Sequence, residues 1–447
     1  MPEDVLIIGG GLAGLAAGVA LAEAGYRVRL LEQKPYLGGR ARSFRDAATG
    51  SIVDNGQHLF MGCYHATLKF LEAIGTADAI SFDPQLRVRF MDSDQKLTEL
   101  RCPAFPAPWH LLTGVCLSDS FTFGEKMDVL RLGRALRSAK DGADSTGVLE
   151  HMTVEEWLSA LGQRKSLRRN FWDLLCIAAM NEDPQITSAL LFRRVLRLAL
   201  FSSPLDSRLG VPRRGLSDCY AAAAAGAITG RGGSVELRRD VRALLVSDGA
   251  CHGVKLADGT IIEAHIVLSA VPWNVLPALL PAGAVKSEPV FSRILDLRAA
   301  PIISIYLWFD RAVTDLEFVG LRGTTIQWLF NKGRILGSGE NYVSLVLSGA
   351  HNHITRRKED LLETALSELR DLLPGMRDAG LMHSLVIKER FATFSPCVGA
   401  DALRPGAMTP IRGLYLAGDW TDTGLPATIE GAVQSGYTAA EAILHYN

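Results

Sequence analysis

Three glycines near the start of the chain have the spacing of a site that binds a nucleotide pyrophosphate. Gly9, Gly11 and Gly14 directly follow the apolar run 5–8, which is typical of a buried parallel strand. At such a turn the first glycine permits the sharp bend, and the second lets the backbone approach the phosphates. The third lets the following helix pack closely on the strand. The sequence therefore predicts a phosphate-binding turn between a strand and a helix.

The segments on either side of this turn complete a βαβ unit. A helix predicted to begin at Leu12 would present the N–H groups of its first turn, including that of Ala13, to an anion. A second strand is predicted over 27–32, and Glu32 at its end is suited to accept hydrogen bonds from an adenosine ribose. Gln33 is assigned to the same site. The alternative is a glycine-rich turn followed by an acid that stands there by chance.

A second glycine pair follows this unit. Gly38 and Gly39 precede two arginines, Arg40 and Arg42. Enzymes that bind NAD alone do not usually need such a segment, whereas an extended flavin dinucleotide does, because the arginines can reach its pyrophosphate and flavin end. The segment therefore favours FAD as the cofactor. The alternative is a solvated basic turn.

A third motif lies far along the chain. Gly418 and Asp419 follow a short apolar run, and Asp419 is placed to hydrogen-bond the ribityl or pyrophosphate region. Ala427, Thr428 and Ile429 mark the start of a predicted helix, whose positive end would stabilise an anionic reduced flavin. The alternative is a helix that only docks on the domain.

Composition excludes several classes of protein. The 447 residues predict two or three domains, and the formal net charge of −1 argues against a nucleic-acid binder that relies on overall basicity. The seven cysteines contain no C-x-x-C spacing and no signal peptide is visible, which favours a reduced cytoplasmic setting. His351 and His353 are interpreted as part of a solvated loop, so no metal site is predicted.

Periodicity places these motifs on an α/β framework. The stretch 64–201 is predicted to be mostly helical. Strands are predicted over 234–237, 241–246, 253–256 and 261–270, with hairpin turns at two Asp-Gly pairs.

Two domains follow from this pattern. A Rossmann-like FAD-binding domain, with a parallel sheet that is discontinuous in sequence, is predicted over 1–62, 206–289 and 405–447. An inserted α+β substrate domain is predicted over 63–205 and 290–404.

Together, the three glycine motifs resemble those of the flavin monooxygenase, amine oxidase and carotenoid desaturase superfamily of FAD enzymes. Within it, nearly the whole chain is similar to the squalene-associated FAD-dependent desaturase family, also called the hydroxysqualene dehydroxylase family. The segments that carry the closer resemblance are Asp54-Asn55-Gly56-Gln57-His58, Trp157-Leu158, 172–181, Gln327-Trp328-Leu329-Phe330 and 418–428.

The resemblance implies a cofactor, a substrate and a reaction. Val241 would read the adenine through its backbone. The implied reaction is reductive: 12-hydroxysqualene, an apolar isoprenoid, and reduced FAD give squalene, water and oxidised FAD. An external electron donor is expected, because no separate NAD(P)H site is apparent. Thr428 stands where the amine-oxidase branch usually has an aromatic residue, so half of an amine-binding cage is missing.

Three residues are candidates for the acid that protonates the leaving hydroxyl. Asp54 and His58 lie beyond the second glycine pair, where the chain should pass near the flavin. An unperturbed histidine has a pKa near 6.5, which suits proton donation. Both residues have an equally weighted alternative, which is to hold their loop by hydrogen bonds. Asp422 is the third candidate, with turn capping as its alternative.

Aromatic residues are candidates for a dry pocket around the reacting carbon. They are Trp109, Trp172, Trp308, Trp328 and Phe330. For any one of them, core packing is the alternative.

A basic stretch is a candidate for peripheral membrane contact, since the implied substrate would reside in a bilayer. Residues 164–197 carry seven basic and three acidic residues, 7 − 3 = +4, interleaved with apolar ones. The alternative is a solvated helix whose apolar stripe faces the core.

Other functions remain open from the sequence. The same fold would suit an oxidative desaturase of a polyisoprenoid such as phytoene, or an amine oxidase, which Thr428 disfavours. A non-enzymatic flavoprotein scaffold or redox sensor is the last alternative.

Overall fold

The structure, a computed structural model, describes residues 4–138 and 147–445. The strands within those ranges are, in chain order, β1 (Asp4–Ile8), β2 (Arg27–Glu32), β3 (Ser43–Arg45), β4 (Ile52–Asp54), β5 (Phe60–Met61), β6 (Ile80–Phe82), β7 (Arg87–Met91), β8 (Leu97–Arg101), β9 (Leu209–Pro212), β10 (Ser234–Leu237), β11 (Val241–Ser247), β12 (Ala250–Leu256), β13 (Ile261–Glu263), β14 (Ile266–Ser269), β15 (Ala299–Phe309), β16 (Phe318–Leu321), β17 (Trp328–Asn331), β18 (Tyr342–Leu347), β19 (Leu381–Phe394) and β20 (Leu414–Leu416).

The helices of the same ranges are α1 (Leu12–Glu23), α2 (His65–Ala73), α3 (Trp109–Leu117), α4 (Phe123–Ser138), α5 (Val154–Ala160), α6 (Lys165–Leu167), α7 (Asp173–Met180), α8 (Ala189–Phe201), α9 (Leu216–Thr229), α10 (Leu276–Leu279), α11 (Ala282–Ser287), α12 (Pro289–Ile294), α13 (Lys332–Leu336), α14 (Lys358–Leu372) and α15 (Ile429–Leu444).

A parallel sheet joins strands from three distant parts of the chain, in the order β10-β2-β1-β14-β20. Val5 and Ile7 of β1 pack with α1, α9 and α15 on one face. Leu6 and Ile8 pack on the other face with the antiparallel sheet β11-β12-β13. Because both faces are covered, the central strand is apolar throughout. The predicted α/β fold with a discontinuous parallel sheet is confirmed.

All strands of this sheet fall inside the segments 1–62, 206–289 and 405–447. Those segments therefore stay our proposal for the FAD-binding domain, with 63–205 and 290–404 as the proposed substrate domain.

A mixed sheet forms the second layer, in the order β19-β15-β18-β17-β16-β7-β8. Its pairs are antiparallel except where β16 runs parallel to β7. One face packs on α14, where Ile305 and Leu345 meet Leu369. Trp328 and Phe330, two residues apart on β17, lie on the other face and pack in the same core as α7 and α8. This second face is the one that turns toward the site described below.

The stretch 64–201 is less helical than predicted, because it contains β6 and the hairpin of β7 and β8. Alternate side chains of that hairpin are charged, and Arg89 pairs with Glu99 at 2.7 Å across the strands. Such alternation is typical of a strand with one polar face. Because of these polar residues, the strand pattern was not recognised beside the long helices that follow.

The predicted strand over 261–270 is two strands. The chain leaves the antiparallel sheet after Glu263 and joins the parallel sheet at Ile266. The predicted hairpin turns at Asp248-Gly249 and Asp258-Gly259 are confirmed, because β11, β12 and β13 pair antiparallel around them.

The basic stretch 164–197 divides into two parts: Arg164, Lys165 and Arg169 are exposed, whereas the basic residues of α8 are largely engaged with the protein. In α8, Arg193 is buried and Arg194 pairs with Asp401 at 3.0 Å. The apolar side of α8 packs into the core through residues such as Phe192 and Leu196. The structure therefore favours the core-facing alternative for this helix. No helix among the described residues is long and apolar enough to cross a membrane.

Candidate active site

An elongated cavity of about 1080 Å³ runs between the two sheets. It begins at the carboxyl ends of β1 and β2, passes the loop 55–58 and the start of α15, and ends among α3, α4, α7 and α8. This volume lies just above the usual range for small-molecule sites, roughly 300–1,000 Å³. Its two ends differ in chemistry, as the following residues show.

The glycine turn forms the first end of the cavity. Gly9 has a φ of +107°, which glycine alone adopts readily. A Cβ on Gly14 would overlap the carbonyl oxygen of Gly9, so Gly14 serves the packing of α1 and does not line the cavity. Gly11, Leu12 and Ala13 do line it, and no side chain caps α1. The unpaired N–H groups and the positive end of α1 are therefore available to an anion.

An acid lies beside this helix terminus. Glu32 is 7% exposed, and its carboxylate accepts hydrogen bonds from the backbone N–H groups of Gly10 at 2.7 Å and Lys34 at 2.8 Å. Each oxygen keeps a further lone pair for a ligand hydroxyl. Gln33 and Val241 line the same end of the cavity.

The second and third motifs meet in the middle of the cavity. Arg40 donates to Asp419 Oδ1 at 2.6 Å and to the carbonyl oxygen of Ala392 at 2.8 Å. Gly38 and Gly39 both have positive φ angles and line the cavity together with Arg40, Gly418 and Asp419. The ion pair fixes both side chains, which were predicted to contact the cofactor separately.

The start of α15 closes this part of the cavity. Thr428 caps the helix, because its side chain accepts from Gly431 N at 3.0 Å, and Ala427 and Ile429 line the cavity beside it. Glu430 is turned toward another helix, since its carboxylate accepts from Ala66 N and Thr67 N at the start of α2.

These residues fit FAD. An uncapped helix terminus suits the pyrophosphate, Glu32 suits the ribose, and the open space facing Gly11 would be filled by a Cβ at that position. Except for Gly14, every residue predicted to bind the cofactor lines the cavity. Their individual contacts with the cofactor stay predictions.

His58 lines the cavity at the centre. A carbonyl oxygen only accepts hydrogen bonds, so Nδ1 of His58 donates to the carbonyl oxygen of Gly56, at 2.7 Å. Nε2 takes no part in this hydrogen bond. Burial lowers the pKa of His58 below its ordinary value of 6.5. Lys332 and Arg40 also lower this pKa. The carbonyl of Gly56 and the charge of Asp54 raise it, but the effect of burial is larger. The neutral imidazole therefore predominates at pH 7, and its protonated form is a stronger acid than free histidine.

Asp54 is buried behind this loop and does not line the cavity. Its Oδ2 accepts from Lys332 Nζ at 2.7 Å, and neither side chain is exposed to solvent. Its Oδ1 accepts from Leu216 N at 3.1 Å, and its carbonyl oxygen accepts from Tyr306 OH at 2.7 Å. This geometry favours the alternative for Asp54, which is to hold the loop.

The partner of Asp54 was missed from the sequence. Lys332 directly follows the apolar strand β17, and a lysine at such a position was the available signal. Asp422, the third candidate acid, is exposed and lies outside the residues that line the cavity.

The far end of the cavity is apolar. Trp172, Trp328 and Phe330 line it as predicted. Trp109 is instead 60% exposed on α3, and Trp308 is buried below the cavity, stacked on Tyr342 at 5.3 Å between ring centroids. Both were wrongly assigned to the lining, because sequence alone does not show which face an aromatic residue takes.

We call this end the apolar arm, defined by the cavity-lining residues of α3, α4, α7, α8 and β17. Among the described residues, every lining side chain from those helices is apolar except Arg134 of α4. Two buried polar atoms near its inner end, Trp328 Nε1 and Gln57 Oε1, have no hydrogen-bond partner among the described residues. Such groups usually indicate a missing polar ligand or water.

Comparisons with known proteins agree with this geometry. The chain matches the family described as flavin containing amine oxidoreductase over residues 12–444. It is 30% identical over 460 residues to a hydroxysqualene dehydroxylase from Rhodopseudomonas palustris, covering 99% of both chains. It is 26% identical over 471 residues to a 15-cis-phytoene desaturase from Synechococcus elongatus, covering 98% of this chain and 95% of that one.

The fold is similar to that of an oxidoreductase from Methanosarcina mazei. The TM-score is 0.76 at 17% sequence identity, and the match covers 98% of this chain and 100% of that chain. At this identity the likeness concerns the fold alone.

Replacing Gly11 with alanine should weaken FAD binding while leaving the protein folded. The φ of Gly11 is −78°, and an added Cβ would have the Cα of Gly39 as its nearest neighbour, at 4.0 Å. The methyl group therefore fits the fold but occupies space that a pyrophosphate needs. We expect FAD affinity to fall by about tenfold or more, roughly 1.4 kcal/mol, in a titration of the apoprotein followed by flavin fluorescence.

Gly14→Ala is the matched control. Its Cβ would overlap the carbonyl oxygen of Gly9, so the free energy of unfolding should fall by about 1–3 kcal/mol whether or not FAD is present. Normal FAD affinity in Gly11→Ala would contradict the assignment of this turn to the cofactor.

Lys332→Met should destabilise the protein by about 3–5 kcal/mol, because it leaves the Asp54 carboxylate buried without a counter-ion. The free energy of unfolding from urea denaturation measures this. Adding Asp54→Asn should recover part of the loss. Lys255→Met is the control at an exposed lysine on β12 and should change stability by less than about 0.5 kcal/mol. Equal losses in the two lysine variants would show that the ion pair contributes nothing.

Proposed function

The chain belongs to the flavin containing amine oxidoreductase family, and from this premise we propose that it reduces 12-hydroxysqualene to squalene. It is an FAD-dependent oxidoreductase of the amine oxidase and carotenoid desaturase superfamily. When bound and reduced, FAD supplies the hydride that replaces the hydroxyl group. The single observation that carries the proposal is the apolar arm. At the point where the arm meets the cofactor end of the cavity, polar groups are few and lie close together.

The apolar arm suits a long hydrocarbon chain. Its lining buries apolar surface, and each square ångström so removed from water contributes roughly 25 cal/mol. It also excludes water, which would otherwise capture a carbon with allylic cation character. Trp172, Trp328 and Phe330 add aromatic faces that favour positive charge at that carbon.

The hydroxyl group of the substrate needs polar partners at the inner end of the arm. Gln57 and Trp328 line the cavity, and a rotation of either side chain would turn its amide or indole N–H toward that hydroxyl group. His58 is the group that can protonate the departing oxygen, through Nε2, because Nδ1 is engaged by Gly56. We assign the proton to His58 and assign to Asp54 and Lys332 the positioning of its loop.

An oxidative desaturase acting on a phytoene-type hydrocarbon is the second candidate. The similarity to 15-cis-phytoene desaturases over almost the whole chain favours it, and the same arm would accept that substrate. It needs no proton donor at the position of His58, which is the chemical difference between the two candidates.

An amine substrate fits less well. A protonated amine in the arm would lose its hydration, and the lining from α3, α4, α7 and α8 provides no carboxylate to pair with it among the described residues. Thr428 occupies the position at which the amine-oxidase branch usually has an aromatic residue.

The purified protein, with its flavin reduced by dithionite without air, should convert 12-hydroxysqualene to squalene. Mass spectrometry should show one squalene formed for each flavin reoxidised, because the hydride and the leaving water balance the reaction. Phytoene with oxidised flavin is the matched control and should give no added double bond. Desaturated phytoene without squalene formation would establish the second candidate instead.

The rate of dehydroxylation should rise as pH falls from 8 toward 6. Burial lowers the pKa of His58, so only a small fraction is protonated at pH 7, and that fraction grows as pH decreases toward the pKa. His58→Gln should lower the rate by about 10²–10⁴-fold and abolish this pH dependence, while flavin absorbance shows that FAD is still bound. His353→Gln controls for the loss of a histidine outside the cavity. An unchanged rate in His58→Gln would remove His58 from the mechanism.

A further inference from the structure

The apolar arm reaches the protein surface between α3 and α4. Arg134 of α4 lines the cavity and is exposed, and Leu130, one turn earlier, lines it and is partly exposed. Leu112 of α3 faces the same opening and is also partly exposed. We call this opening the mouth, defined by Leu112, Leu130 and Arg134. An opening there would give a ligand a path into the arm that avoids the cofactor end.

Large apolar side chains surround the mouth but do not line the cavity. Phe123 is 81% exposed, Leu117 is 71% exposed and Trp109 is 60% exposed. Met127 is also exposed and, with Phe123, Leu130 and Arg134, follows the i, i+4, i+7, i+11 spacing of one helical face. We call Trp109, Leu117, Phe123 and Met127 the rim. Large exposed apolar side chains on two adjoining helices mark a place where a protein meets another apolar phase or partner.

The charges around the rim indicate which partner it is. The segment 103–118 contains no Asp, Glu, Lys or Arg, and the residue after it, Asp119, is an exposed acid. On α4 the acids Glu125 and Asp128 are buried, where they bind Ser166 and Arg164 respectively.

The exposed charged side chains described on α4 are therefore basic. They are Arg134 and Arg131, which also pairs with the buried Asp128 at 2.7 Å, and Lys126 is partly exposed. Basic residues beside exposed aromatic and aliphatic ones are typical of a helix that lies in the surface of an anionic bilayer.

We propose that the rim docks on an anionic lipid bilayer and that the substrate passes from the bilayer through the mouth into the apolar arm. This inference rests on the proposed function for its substrate, but the docking itself does not require that function. The contact is peripheral, because α3 has nine residues and no described helix can cross a membrane. It differs from the predicted contact through 164–197, whose apolar side packs in the core.

Vesicle flotation tests the docking directly. The FAD-loaded full chain is mixed with vesicles of phosphatidylcholine alone or of phosphatidylcholine and phosphatidylglycerol in equal parts, at low salt and without substrate. We expect binding to the anionic vesicles and little binding to the neutral ones. The double variant Leu117→Glu, Phe123→Glu should bind about tenfold or more weakly, since it removes two apolar anchors and adds two charges.

Met382→Glu is the matched control, because Met382 is 70% exposed on β19, away from the mouth. It should float with anionic vesicles as the unaltered protein does. Arg134→Gln should weaken binding by about fivefold, the value of one basic contact with anionic lipid. Dehydroxylation should fall in the double variant when the substrate is embedded in vesicles and stay unchanged when detergent supplies it.

Three results would overturn the inference. They are unchanged flotation of the double variant, equal binding to neutral vesicles, and a dimer in solution that the double variant converts to monomers, which would make the rim a contact between two copies. Failure of the proposed function is distinguishable from these. In that case the double variant Leu117→Glu, Phe123→Glu would still lose vesicle binding, whereas the unaltered protein would form no squalene under any condition.

Discussion

The ion pair between Lys332 Nζ and Asp54 Oδ2, with both side chains excluded from solvent, connects the two halves of the candidate site. Asp54 ends β4 and begins the loop that carries Gln57 and His58, whereas Lys332 begins α13 directly after the strand that carries Trp328. The separation of these polar and aromatic groups is therefore set by one short contact. A buried pair of this kind contributes little net stability compared with apolar packing. Removing one partner is strongly destabilising, because the other charge is then buried without a counter-ion. The pair is suited to fixing the distance between His58, the proposed proton donor, and the aromatic wall.

The cavity separates two physical environments along one path. At the end near α1, backbone N–H groups and charged side chains are concentrated, and Arg40 and Asp419 hold each other in place. Beyond His58, the lining from four helices is apolar except at the mouth. A flavin dinucleotide carries its charge on the pyrophosphate between adenosine and flavin, so the charge-rich end of the cavity suits the dinucleotide and the apolar arm suits a separate apolar substrate. A water-excluded arm also strengthens the hydrogen bonds of the few polar groups that border it.

Local pattern was sufficient for the elements that bind the cofactor. The turn at Gly9, the helix after it and the acid at Glu32 lie within one βαβ unit, so their geometry follows from short-range rules, and the FAD assignment agrees with the family. The catalytic side was harder to predict because its contacts are long-range. Lys332 and Asp54 are 278 residues apart in the chain, and no periodicity links them. Trp109 and Trp328 look alike in sequence, and only the packing of α3 and β17 puts the first on the surface and the second in the arm.

The order of the parallel sheet has a consequence for biosynthesis. β20 pairs with β14 at one edge, and α15 packs on α1, so the residues 414–444 complete a structure begun by the residues 4–32. A ribosome that has released only the first 400 residues has made the glycine turn and the apolar arm but not Asp419 or the cap of α15. The cofactor site therefore stays incomplete until the residues 414–444 have been synthesised.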